Sequence, residues 1–155
     1  MALQAGTKAP AFQLTSSDKQ QVSLSDFAGK NLIIHFFPAA FTGVCTEQLC
    51  SNRDELSYYN GLNAEVLGVS VDMPFSLGVF KQNNNINFPL LSDFNKTMIH
   101  HYDMYQVNFA FGMMGVAKRG VVLIDKEGIV RYSEETANPG VQVNFEALKS
   151  ALQAL

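Results

Sequence analysis

The stretch Leu32-Ile33-Ile34-His35-Phe36-Phe37-Pro38-Ala39-Ala40-Phe41-Thr42-Gly43-Val44-Cys45-Thr46-Glu47-Gln48-Leu49-Cys50 decides the fold of this chain. Residues 32–37 are a near-continuous apolar run, the pattern of a central strand buried on both faces. His35 sits inside it. Pro38 ends the run, because proline has no N–H to donate to a sheet ladder. Residues 39–43 read as a turn, and a helix is expected over 44–60. Thr42 suits its N-cap, and Gly61 stands where it would stop. Cys45 then falls in the first turn of that helix. Unpaired backbone N–H groups and the positive end of the helix dipole converge there and favour the thiolate. The thiolate is the reactive form of cysteine, so this placement marks Cys45 as a candidate nucleophile.

The same strand–turn–helix logic extends in both directions. Residues 11–15 and 21–24 read as a hairpin around a polar turn. Residues 65–71 are a second buried strand, 74–82 a short helix opening on proline, and 88–91 a short strand. Residues 95–102 are expected to be helical. Residues 119–125 and 129–132 flank Lys126-Glu127-Gly128, a hairpin signal. A final helix starts near Asn144, with Phe145, Leu148, Leu152 and Leu155 on one stripe. This order predicts an α/β fold, a mixed central sheet flanked by helices. It is the thioredoxin-like plan with an N-terminal β-hairpin extension.

The chain has 155 residues, 47% hydrophobic and 16% charged, and a net charge of −3. That composition suits one domain over 1–155 with a sizeable core. No Lys/Arg cluster points to a nucleic acid or an anionic membrane surface. No apolar run approaches the ~20 residues that span a bilayer. The N-terminal residues do not read as a secretory signal, and the expected location is cytoplasmic. Two cysteines five residues apart are no disulfide scaffold; in a cytosolic chain they point to redox chemistry or metal binding. Metal spacing of the Cys-x-x-Cys kind is missing, and His100 and His101 are adjacent, so neither a metal nor a cofactor is expected. His35 reads as a core histidine.

The segment Pro38-x-x-x-Thr42-x-x-Cys45 resembles the peroxiredoxin signature. So do Phe88-Pro89-Leu90-Leu91-Ser92-Asp93 and Gly115-Val116-Ala117-Lys118-Arg119-Gly120. Together they carry the resemblance over nearly the whole chain. The wording around Phe41 is similar to AhpE-like members, and Cys50 to the Q-type or bacterioferritin-comigratory group. The resemblance implies a thiol peroxidase acting on hydrogen peroxide and organic hydroperoxides. Cys45 would be the peroxidatic cysteine, oxidised to a sulfenic acid. Thr42 would bind and orient the peroxide, Pro38 shield the thiolate, and Arg119 stabilise charge at Cys45. Phe41, with Phe37, Phe109 and Phe111, would suit organic hydroperoxides where such rings line the pocket. One position departs from the pattern: Gln48 stands where relatives commonly carry the Glu that places the arginine. As a neutral group it would hold Arg119 less firmly.

Cys50 stands at the spacing where Q-type relatives carry a resolving cysteine. Five residues along a helix advance about 7.5 Å and turn about 500°. A disulfide needs Cα atoms within roughly 7 Å and converging Cβ vectors. A Cys45–Cys50 bond therefore requires the first turns of the helix to unwind. The disulfide would be reduced by thioredoxin or a glutaredoxin-like protein. With Cys50 inert instead, a low-molecular-weight thiol or a redoxin would act on the sulfenic acid directly. A homodimer is expected, with a monomer as the alternative. Met113 and Met114 beside Phe109 and Phe111 fit either core or a partner-facing patch. Two other function classes stay open: a disulfide oxidoreductase, which the spacing of Cys45 and Cys50 disfavours, and a redox sensor signalling through oxidised Cys45.

Overall fold

The computed structural model describes residues 3–155. Its centre is β3 (Asn31–Phe36), five of whose six residues are buried. To one side β3 pairs parallel with β4 (Ala64–Ser70), Ile33 opposite Val66. To the other it pairs antiparallel with β8 (Gly120–Ile124), Phe36 opposite Gly120. With β1 (Gln13–Ser16), β2 (Gln21–Ser23), β5 (Leu90–Ser92) and β9 (Val130–Glu135) these form a mixed seven-stranded sheet, ordered β2-β1-β5-β4-β3-β8-β9. The expected mixed sheet, flanking helices and N-terminal hairpin are all present.

Alternate residues of β3 feed two separate cores, as the period of a strand requires. Ile33 joins Phe37, Val66, Leu90, Val121 and Leu148 on one face. That face is covered by α1 (Gly43–Asp54), α2 (Leu56–Gly61), α3 (Pro74–Asn83) and α5 (Phe145–Gln153). Leu32, Ile34 and Phe36 join Leu67, Leu91, Met98 and Tyr102 on the other face, under α4 (Thr97–His101). His35 points to the first face, beneath α1, where its ring lies 6.0 Å from that of Phe145.

Several expectations needed correction. The helix over 44–60 divides at Glu55, which leaves helical geometry at φ −108° and ψ 12°. Its carboxylate pairs with Lys149 of α5 at 2.5 Å, and the second segment turns Tyr59 into the core. The helix expected over 95–102 begins only at Thr97. Lys96 is left-handed, and the Asp93 carboxylate accepts the N–H groups of Met98 (3.1 Å) and Ile99 (2.8 Å), so the chain enters the helix late. Leu155 leaves the stripe of α5 and is exposed, because the helix ends at Gln153. A second hairpin, β6 (Tyr105–Asn108) with β7 (Met114–Ala117), was not foreseen. Met113, Met114 and Phe111 sit on it as exposed residues, not in the core.

Candidate functional site

Chain entry into α1 is held from two sides. Phe37 N–H still bonds Val69 of β4 at 3.1 Å, and Pro38, buried, then ends the ladder. The Asp72 carboxylate, at the end of β4, accepts the Ala40 N–H at 2.8 Å and the Ser70 hydroxyl at 2.7 Å. Phe41 takes a left-handed conformation, φ 69°, which costs a residue with a Cβ of this bulk and persists only where the surroundings impose it. Its ring is exposed on one side and meets Phe80 edge-on at 5.3 Å on the other. Asp72 was missed in the sequence, since nothing in a Ser-x-Asp spacing says that it reaches a turn 32 residues away.

Thr42 occupies the N-cap position, as expected, but its hydroxyl does not cap the helix. It donates to the Ala39 carbonyl at 2.8 Å. The first helical bond runs from Thr46 N–H to Thr42 O, so the N–H groups of Gly43, Val44 and Cys45 have no intrahelical acceptor. Cys45 is fully buried at this end of α1.

Arg119 reaches Cys45 from across the sheet. It precedes β8 instead of lying within it, and the Phe36–Gly120 register sets it beside the end of β3. Gly120 next to it lets β9 and Met104 pack close against the start of β8. A Cβ there would stand 2.5 Å from the Glu134 carbonyl and 2.8 Å from the Met104 side chain, closer than atoms pack. Arg119 is 3% exposed, and its guanidinium makes three bonds: Nε to Pro139 O (2.9 Å), Nη1 to Gln48 Oε1 (2.9 Å) and Nη2 to Cys45 Sγ (3.2 Å). None of these partners is a carboxylate. Gln48 thus does keep hold of Arg119, by one neutral acceptor.

Behind Gln48 lies a buried polar cluster. Gln48 Nε2 is 3.0 Å from His35 Nδ1, and Asn52 Nδ2 donates to Gln48 O at 2.8 Å. His35 is fully buried, and desolvation lowers its pKa from 6.5 to about 3, against a smaller opposing pull from the Asn52 side chain. The ring is neutral at physiological pH. The core placement of His35 was expected; its contact with Gln48 was not.

Cys50 is half-buried on another side of α1, its Sγ 4.0 Å from Asn84 Oδ1 at the end of α3. Both cysteines are free and α1 is continuous between them. Of the aromatic residues considered for a pocket, Phe37 is core and Phe111 is 99% exposed. Among the described residues no group of three or more His, Cys, Asp or Glu side chains could hold a metal ion. No helix there is long and apolar enough to cross a membrane.

Comparison with known proteins agrees with this geometry. Residues 5–133 match the AhpC/TSA family. The chain is 35% identical over 130 residues to peroxiredoxin Bcp of Bacillus subtilis, covering 83% of this chain and 82% of that protein. It is 34% identical over 158 aligned residues to alkyl hydroperoxide reductase E of Mycobacterium bovis, covering 99% and 98%. Peroxiredoxin Q of Xanthomonas campestris superposes with a TM-score of 0.82 at 26% identity over 92% of this chain and 90% of that one. The peroxidoxin BcpB of Mycobacterium tuberculosis shares the fold, with a TM-score of 0.85 at 23% identity over 99% and 98%. A strand-delivered cysteine at a helix start, an arginine brought to it across the sheet, and relatives that match along almost the full chain lead to one conclusion: this chain belongs to the AhpC/TSA family of peroxiredoxins and is a thiol-dependent peroxidase, an oxidoreductase.

Proposed function

We propose that Cys45 reduces hydrogen peroxide and organic hydroperoxides, and that Cys50 completes the cycle. The observation that carries this is the 3.2 Å bond from Arg119 Nη2 to a buried Cys45 Sγ at a helix N-terminus. The thiolate attacks the terminal peroxide oxygen. An S–O bond forms, the O–O bond breaks, and the alkoxide or hydroxide leaves and takes up a proton. Sulfur is oxidised to a sulfenic acid and the peroxide is reduced to an alcohol or water. Arg119 stabilises the negative charge spread along the S–O–O line in the transition state. Thr42 has given its one hydroxyl proton to Ala39, so toward substrate its oxygen can only accept. It accepts the O–H of the hydroperoxide and so orients the terminal oxygen to the sulfur. Pro38 keeps water from the thiolate, and the exposed Phe41 ring offers an apolar surface to organic substituents.

The Cys50 thiolate then attacks the sulfenic sulfur: the S–S bond forms, the S–O bond breaks, and hydroxide leaves and takes up a proton as water, giving a Cys45–Cys50 disulfide. An external dithiol, thioredoxin or a glutaredoxin-like protein, reduces it. Because α1 holds the two cysteines on different sides, its first turns unwind for this step. The role is antioxidant defence, carried by residues 1–155 as one domain in the cytoplasm. The exposure of the apolar side chains Phe41, Phe75, Phe111 and Met114 supports a homodimer that would cover some of them.

Single-turnover oxidation by hydrogen peroxide, followed by intact mass, tests these roles. Wild type is expected to lose two hydrogens. Cys50→Ser is expected to gain and keep one oxygen, and Cys45→Ser to lose all reactivity. A wild type that keeps one oxygen removes Cys50 from the cycle and hands reduction to a low-molecular-weight thiol. A Cys45→Ser variant that reacts as fast as wild type removes Cys45 from the mechanism.

A further inference from the structure

We propose that His35 is a positioning residue for peroxide reduction: its unprotonated Nδ1 fixes the direction of the Gln48 amide, and Gln48 in turn aims Arg119 at Cys45. The proposal deepens the role given above to Cys45 and Arg119 and rests on it.

The directions follow from which atoms can donate. Arginine is a donor only, so Gln48 must turn Oε1, its acceptor, toward Nη1. That orientation points the two amide protons of Gln48 the other way. Three acceptors wait there: His35 Nδ1 at 3.0 Å, Phe36 O at 3.3 Å and Gly120 O at 3.4 Å. The nearest is the imidazole nitrogen. It accepts only when it carries no proton, so the ring proton sits on Nε2, on the side of Asn52. Asn52 uses its own amide N–H on Gln48 O. Arg119, Gln48 and His35 thus share one donor-to-acceptor direction, while Asn52 donates separately to the Gln48 carbonyl.

The histidine is costly where it stands. Residues 32, 33, 34 and 36 of β3 are apolar and fully buried, and an aliphatic side chain would satisfy position 35 as a packing site. Instead Nε2 of the ring and Oδ1 of Asn52 find no partner in good hydrogen-bond geometry, although the Asn52 side chain lies near enough to pull the ring's pKa upward against burial. A buried polar atom left unpaired calls for a compensating role. The groups packed around the ring explain why it stays neutral: Gln48 and Asn52 from α1, Phe145 from α5 and Val121 opposite on β8, none of them charged. Were Nδ1 protonated, its N–H would face the amide protons of Gln48. The amide would then reverse and set its NH2 group against the Arg119 guanidinium.

The test uses the full-length reduced protein. Nitrogen-15 NMR of the histidine rings at neutral pH is expected to report His35 neutral, with the proton on Nε2; a proton on Nδ1 overturns the proposal. Two variants supply the kinetic side. His35→Leu removes the acceptor, whereas His35→Asn keeps one, since Asn Oδ1 occupies the place of Nδ1. His35→Leu is expected to slow sulfenic acid formation about tenfold, the effect of weakening one charge-assisted hydrogen bond. It also raises the pH midpoint of Cys45 thiolate formation, followed by ultraviolet absorbance. His35→Asn restores both. Equal behaviour of the two variants, or a His35→Leu protein indistinguishable from wild type, reduces His35 to packing and overturns the proposal. Where His35→Leu does not fold, the NMR tautomer and the thiolate midpoint of His35→Asn decide. If wild type forms no sulfenic acid at Cys45, the peroxidase roles fail, while the tautomer and thiolate readouts still answer for His35.

Discussion

Helices α1 and α5 lie on the same face of the same sheet, and they bury opposite kinds of residue. α5 turns Leu148 and Leu152 into the core, with Phe145 beside them, and starts on an Asn144 side chain that accepts the Ala147 N–H at 3.0 Å. α1 buries Cys45, Gln48, Leu49 and Asn52, only one of them aliphatic, and its N-cap side chain does not cap it. The spacing i, i+3, i+4, i+7 is that of an ordinary buried stripe. What fills it in α1, beside Leu49, is a nucleophile and two amides; Cys45 and Gln48 take partners from other elements, and Asn52 bonds Gln48 O within the helix. α5 is therefore held by apolar burial, which has no direction, and α1 by hydrogen bonds, which have one. Local rules are broken where the chemistry sits and kept where only stability is at stake.

Three experiments sharpen the contrast. Leu148→Ala in α5 should cost the most: about 2–5 kcal/mol of stability for a fully buried leucine, read from urea unfolding. The folded fraction should still react with peroxide at the wild-type rate, since an apolar side chain supplies no hydrogen bond to Cys45, Gln48 or Arg119. Arg119→Met should do the reverse. Its peroxide rate should fall about 100-fold, the effect of removing one preorganised donor from developing negative charge, in stopped-flow measurements on folded protein. Arg119→Lys should recover only part of it, because one ammonium cannot reach Pro139 O, Gln48 Oε1 and Cys45 Sγ together. A Leu148→Ala protein as slow as Arg119→Met would erase the division between the two helices.

The smallest effect is on the pH dependence of stability. His35 has a folded pKa of about 3 against an ordinary 6.5, so between those values the unfolded chain binds the extra proton. Its contribution to stability is thus fully present above the unfolded pKa and is lost as pH falls from 6.5 toward 3. Asp125 and Glu135 add their own acid losses: burial pushes both up, but the Ile129 N–H and then Arg131 hold Asp125 low, and Lys118 holds Glu135 low. The His35→Asn variant cancels those and isolates the histidine. Its urea midpoint should fall less than that of wild type on acidification from about pH 7 to about pH 4. Equal slopes would show that His35 titrates normally.

The positions of Pro38, Thr42 and Cys45 were legible because each rests on a rule that acts within a few residues. Proline ends a ladder, a hydroxyl residue precedes a helix, and the first turn leaves N–H groups free. Arg119 was found only through the family resemblance, since no local pattern ties it to a cysteine 74 positions away. Asp72, Pro139 and the partners of His35 were not legible at all. A single aspartate or a backbone carbonyl carries no signal of the loop it will meet.

By itself, then, the amino-acid order determined the buried strands by their apolar runs, the helix bearing Cys45, the reactive residue type at its start and the departure at Gln48. Tertiary structure decided which side chains face that cysteine. Strand register set Phe36 opposite Gly120 and so delivered Arg119. The parity of β3 turned His35 toward α1 and left Phe36 on the far side. The division at Glu55 ended α1 and allowed Tyr59 to enter the core. The physical reason is one of range. Backbone geometry, caps and periodicity are local properties of the chain, whereas a hydrogen bond across the sheet exists only once pairing and packing have brought its two ends together.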